Sequence, residues 1–136
     1  MDKRYADQRF CKPQERKYRN HKVHICGMDF DSKKESERYL VLRDLQRRGE
    51  ARNLQRQVKY TLVPKQAAED TVGPHGKVTP GKVLERECAY YADFVYEDKR
   101  GNVIVEDVKS PATRTDVYRI KKKLMLYVHG IQIREV

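Results

Sequence analysis

Two short runs hold the residues best suited to chemistry, Tyr91-Ala92-Asp93-Phe94 and Glu106-Asp107-Val108-Lys109. Side chains alternate along a strand, so Asp107 and Lys109 share one face while Glu106 shares the other with Val108. That register aims a carboxylate and an ammonium at one spot. Asp93 lies fourteen positions before Asp107, and the turn Asp98-Lys99-Arg100-Gly101 folds its strand back beside the second run. Neighbours across a hairpin lie about 5 Å apart. Two carboxylates that close repel each other unless a cation stands between them. Their hard oxygens suit Mg²⁺ or Mn²⁺, which keep several waters and also accept a phosphate oxygen.

A third carboxylate comes from a helix. Ser32-Lys33-Lys34-Glu35 has the S-x-x-E form of a capping box ahead of an apolar-periodic stretch. This predicts a helix from about Lys33 to Arg48 that stops at Gly49. On the helical period Glu35 falls on the stripe of Tyr39, Leu42 and Leu45, whereas Glu37 points away. Glu35 therefore faces the sheet. An inward carboxylate beside an aspartate pair is costly in a small core, and a metal ion accounts for it. The plainer reading of Glu35 is half of a capping box; that of Asp93 and Asp107 is strand-end carboxylates paired with lysines.

The elements that must position these groups can be read along the chain. Residues 22–31 alternate around Cys26-Gly27 as a short hairpin. Residues 54–63 alternate up to Pro64 as a strand. Residues 64–82 hold Pro64, Gly73, Pro74, Gly76, Pro80 and Gly81, breakers that predict a long mobile loop. Residues 87–97 and 102–110 read as a hairpin. After Pro111, residues 117–128 read as a helix with the apolar stripe Val117, Ile120, Leu124 and Tyr127, and residues 131–136 close the chain as a strand. The order is helix, strand, strand, strand, helix, strand. This is an α/β (α+β) arrangement in one domain over residues 21–136, behind a flexible basic arm at residues 1–20.

Charge says what such a domain meets. The 136 residues carry +10 at neutral pH. Residues 1–24 hold eight cations against three acids, and residues 109–123 hold six against one, so the whole excess sits in two segments of +5 each. Concentrated basicity argues for a polyanionic partner. An acidic membrane fits poorly, because neither segment has the broad apolar face of a membrane-surface helix. No apolar run approaches the ~20 residues that cross a bilayer. The start MDKRYADQRF lacks the apolar segment of a secretory signal, so a cytoplasmic location is expected. Three sparse cysteines suit a reducing compartment. His21, His24 and Cys26, with Cys11 upstream, match no standard zinc spacing.

The order Glu35, Asp93, Asp107-x-Lys109 on this frame resembles the PD-(D/E)xK nuclease superfamily. The runs FDSKKESERYLVLRDLQRRGE, YYADFVYED, VIVEDVKS and YRIKKKL are similar, more narrowly, to a small phage-encoded nuclease-like family within it. The likeness covers about residues 21–136. Ala92 stands where the superfamily name has proline, at a position that supplies no ligand. The resemblance implies a restriction-endonuclease-like core, with a central mixed sheet flanked by helices. It also implies a Mg²⁺- or Mn²⁺-dependent DNA endonuclease, similar in style to Holliday-junction resolvases, acting on branched or duplex DNA in recombination or replication. A junction resolver needs two active sites, which a homodimer would supply. Carried onto this sequence, Asp93 and Asp107 are metal ligands, with the Val108 backbone carbonyl as a third. Glu35 binds the ion through water or holds a second one. Lys109 orients the attacking water and offsets charge on the transition state. Gln57 is a further site candidate, with a purely structural role as its plainer reading. Arg119, Lys121 and Lys123 would grip flanking phosphates, as would Arg16, Lys17 and Arg19 of the arm, whereas Lys122 reads as a solvated lysine.

Overall fold

The computed structural model describes residues 21–136. The arm at residues 1–20, with Arg16, Lys17 and Arg19, lies outside the described residues. A small hairpin of β1 (Val23–Ile25) and β2 (Met28–Phe30) turns at Cys26-Gly27 and leads into α1 (Lys33–Arg47). The Ser32 hydroxyl accepts from the Glu35 amide, and Arg48 and Gly49 close the other end. β3 (Ala51–Val63) follows, three residues longer at its start than the alternation predicts. A bulge at Asn53, which has left-handed backbone at φ 53°, lets those extra residues pair.

Residues 64–82 differ from the expected loop. β4 (Gln66–Ala67) pairs with β7 (Val83–Glu85), and β5 (Thr71–Val72) pairs with β6 (Val78–Thr79), forming a projecting hairpin. The breakers serve the pairing instead of ending it. Gly76 supplies positive φ at the tip, and at Gly81 a Cβ would come within 1.8 Å of the Ala68 carbonyl oxygen.

β8 (Cys88–Asp98) and β9 (Val103–Asp107) complete the predicted hairpin, and a 3₁₀ turn (Pro111–Thr113) precedes α2 (Asp116–His129) and β10 (Arg134–Glu135). The main sheet runs β10-β9-β8-β3. Its β3–β8 and β8–β9 pairs are antiparallel and its β9–β10 pair is parallel. The fold is therefore mixed α+β, with a central mixed sheet and two helices. Among the described residues no helix is long and apolar enough to cross a membrane.

Two clusters form the core. One gathers Phe30, Leu42, Phe94 and Tyr96 beneath α1; the other gathers Leu62, Tyr90, Ala92, Val105, Tyr118 and Met125 beneath α2. The clusters expose a break in the alternation. Tyr90 and Ala92 have the same parity as Phe94 and Tyr96, yet they join the α2 cluster, as does Val95. The change of phase falls at Asp93. Opposite it on β3, between the Arg56–Phe94 and Val58–Ala92 pairs, Gln57 takes left-handed backbone at φ 49°.

Beneath α1, Glu106 is wholly buried. Both its oxygens accept from Arg38 (2.8 and 2.7 Å), and the Tyr96 hydroxyl donates to it at 2.6 Å. This pair ties α1 to β9.

The expected inward stripe of α2 is corrected. Of its four residues Leu124 does pack against the core, half-buried, but Val117, Ile120 and Tyr127 are exposed, and the helix buries Tyr118 and Met125. Periodicity marks an apolar side but not whether anything covers it. Here the half-buried Lys121 and Lys122 flank the core contact, where their long apolar stems can pack. Met125→Ala should therefore cost about 2–5 kcal/mol in urea unfolding, and Ile120→Ala should stay within about 0.5 kcal/mol. The reverse order would contradict this orientation.

Candidate active site

β8, β9 and α1 deliver their acidic groups to one end of the sheet. Asp107 is the last residue of β9 and is 2 % exposed. Its Oδ2 lies 2.8 Å from the Lys109 ammonium, but no donor makes a directed hydrogen bond to that atom. Lys109 sits past the strand end, held by backbone bonds. Its amide donates to the Val136 carbonyl, and the Val136 amide donates to the Asp107 carbonyl (both 3.0 Å). Its ammonium lies 4.2 Å from the centroid of the Tyr118 ring.

Asp93 meets this strand end through the Val108 amide, which donates to Oδ2 at 2.8 Å. The Gln57 amide donates to Asp93 Oδ1 at 3.3 Å and to Glu35 Oε1 at 3.4 Å. Gln57 thus joins the carboxylates of β8 and α1, which its strand position alone did not show. Glu35 is 4 % exposed and faces the sheet as its helical phase requires. Its capping-box role is only half present. The Ser32 hydroxyl takes the Glu35 amide, while Glu35 Oε2 accepts from the Asp31 amide at 3.3 Å, one residue before the cap.

These acids titrate unusually. Burial first, and then the neighbouring Asp107, push Asp93 up to about 7. Burial and the Asp93 charge raise Glu35. Burial, followed by the Asp107 charge, raises Tyr90, whose buried hydroxyl has no partner.

A cavity of about 240 Å³ opens over the site. Its wall includes Lys34, Glu35, Asp93, Val108, Lys109 and Thr113, with Asp107 buried out of its lining. A larger cavity of about 520 Å³ lies on the outer side of α1, beside Arg43 and Arg47, and includes none of these acids.

Two residues were missed by the sequence reading. The Lys34 ammonium donates to the carbonyls of Lys109 (2.7 Å) and Val136 (2.9 Å), bracing α1 against the strand end. A signal for it existed, because lysines in a helix's first turn oppose the macrodipole and need another reason. Arg56 lies 3.9 Å from Glu35 Oε1 and stacks over the Phe30 ring at 3.9 Å. Of the expected phosphate-gripping residues, Lys121 donates to the Ala89 carbonyl at 2.8 Å, while Arg119 and Lys123 are exposed. Lys122 is not simply solvated, since it pairs with Glu135 at 2.8 Å.

Among the described residues no three His, Cys, Asp or Glu side chains converge to hold a metal by themselves. The donors still fit a Mg²⁺-like ion, which is usually bound by one or two carboxylates and fills its shell with waters and phosphate oxygens. Asp93 and Asp107 are such a pair, and the buried Oδ2 of Asp107 makes no directed hydrogen bond and has the Lys109 ammonium as its charged neighbour.

A family model described as protein of unknown function (DUF1064) matches residues 15–134, so the chain belongs to that family. No curated protein and no solved structure matches it.

The raised Asp93 pKa has a measurable sign. Its folded value lies above the ordinary 3.8, so between the two values the folded state holds a proton that the unfolded state has released. That contribution to stability is therefore lost as pH rises through the interval and changes no further above it. In cation-free protein, the fall in Tm between about pH 5 and 7.5 should flatten in Asp93→Asn. A slope equal to the parent's would contradict the assignment.

Proposed function

We propose, from the geometry of this site, that this member of the DUF1064 family is a metal-dependent DNA endonuclease. Mg²⁺ or Mn²⁺ would be held by Asp93, Asp107 and the Val108 carbonyl, on a restriction-endonuclease-like arrangement of sheet and helices. One observation carries the reading: buried Asp107, with an oxygen that makes no directed hydrogen bond, lies against the Lys109 ammonium and behind a cavity that Asp93 and Lys109 line. Acids gathered in this way work against folding unless a cation joins them, and such perturbed groups cluster at functional sites.

When bound, the ion lowers the pKa of water toward neutrality and neutralises phosphate charge. The protein's own groups do the rest. Lys109, pinned between Asp107 and the Tyr118 ring, presents its ammonium to the cavity, where it orients water and stabilises charge growing on a phosphate oxygen. Glu35, which also lines the cavity, would accept a hydrogen bond from water there. The Thr113 hydroxyl and the Lys34 ammonium line the mouth, where non-bridging oxygens would lie. The cations of residues 109–123 supply the wider attraction for the DNA backbone, which makes binding fall steeply with salt.

A second reading is a DNA-binding module that keeps this frame without cutting. It draws on the lack, among the described residues, of three converging ligand side chains. Labelled duplex, flap and four-way-junction DNA, incubated with Mg²⁺ or Mn²⁺, separates the two. The endonuclease reading predicts cleavage that EDTA abolishes and that Asp107→Asn and Lys109→Met lower by about a hundredfold or more. Equal cleavage by the folded variants would contradict the site, and cation-independent binding with no cleavage would favour the module.

A further inference from the structure

A second concave surface is lined in part by Tyr118, whose ring carries the Lys109 ammonium. It is a groove of about 430 Å³ between α2 and β10, within the range of roughly 300–1,000 Å³ usual for small-ligand pockets. Its apolar part is made by Tyr118 and Ile133, both buried, and by Leu126, which is 56 % exposed. Arg119 and Lys123 stand at its exposed rim, and Gln132 adds an amide. The acid in its lining, Glu135, is already engaged. It accepts from Lys122 at 2.8 Å and from the Tyr118 hydroxyl at 3.0 Å, and Arg114 lies 3.0 Å away. The remaining field at the rim is positive.

The groove shares no lining residue with the cavity of the candidate active site but adjoins it. Tyr118 lines the groove and also carries the Lys109 ammonium over its ring. Thr113 lines the site cavity, and the next residue, Arg114, lines the groove. Glu135 pairs with Asp107 across the parallel ladder. A strand whose scissile phosphate enters the site therefore has the groove beside it.

We propose that this groove holds an unpaired nucleotide adjoining the cleaved bond, so that the favoured substrate is DNA with a single-stranded or branched segment. The proposal rests on the nuclease reading for the path of the strand. A paired base has its edges and faces occupied within the duplex, and bringing it out costs unstacking energy that an already unpaired base does not owe. The rim cations match the phosphates on either side of such a base. The aliphatic floor takes the base, and Gln132 can meet its edge with both a donor and an acceptor. Double-stranded DNA offers phosphates to the rim but nothing to the floor.

The test measures binding in EDTA, so that its outcome does not depend on cleavage. Fluorescence anisotropy compares a forked duplex bearing a short single-stranded arm with a blunt duplex of the same sequence. The parent should favour the fork by about tenfold, the order expected from packing one base. Leu126→Gln should bring the ratio close to one with duplex binding little changed, while Ile120→Gln, on the other side of α2, should keep the parental ratio. A parental ratio near one, or one unchanged in Leu126→Gln, overturns the groove even if the protein cuts DNA. A preference that Leu126→Gln removes, in a protein that cuts nothing with any divalent ion, keeps the groove and overturns the nuclease.

Discussion

Asp93 and Asp107 stand on adjacent strands with little water around them, and their mutual repulsion is the constraint to which the surrounding structure answers. The Val108 amide donates to one, the Lys109 ammonium lies against the other, and the Gln57 amide spans from Asp93 to Glu35. These contacts do not cancel the charge. Asp93 still titrates near 7, and Asp107 Oδ2 still lacks a hydrogen bond. A cation between the two carboxylates would relieve the charge that these contacts leave uncompensated.

Holding the pair in place takes unusual local structure. The alternation along β8 changes phase at Asp93, opposite a glutamine in left-handed backbone, a conformation that costs of order 1–3 kcal/mol for a non-glycine residue. Arg38 and Glu106 lock α1 onto β9 one residue away from Asp107, so the helix that carries Glu35 keeps its distance from the acids. Removing Arg38 would leave the buried Glu106 carboxylate with only the Tyr96 hydroxyl and Arg134, 3.7 Å away, to offset its charge. Lys34 adds a second brace by tying the first turn of α1 to Lys109 and Val136. Packing that specifies the fold and packing that specifies the site are here the same contacts.

Much of this was legible in the sequence. A period of two anticipated that Asp107 and Lys109 would meet, although β9 ends at Asp107 and it is the bond from the Lys109 amide to Val136 that holds Lys109 there. A period of 3.6 turned Glu35 inward, and a turn of four residues brought Asp93 alongside. All of those signals are local. What stayed hidden depends on distant partners or on backbone without a signature. Nothing in Gln57 announces a positive φ, and nothing in Glu106 announces an arginine 68 positions away. The apolar stripe of α2 was real but misassigned, because Tyr118 and Met125 take the core while Val117, Ile120 and Tyr127 face outward. The glycines and prolines of residues 64–82 were read as ends of order, though they build a tight hairpin.

The account turns on whether the acid pair is a cation site. Titration of the EDTA-treated protein with Mn²⁺ at neutral pH, followed by the electron paramagnetic resonance signal of the free ion, tests this most directly. The account predicts that the parent takes up Mn²⁺ and that folded Asp107→Asn does not. Equal uptake by the two proteins, or none by the parent, would contradict it.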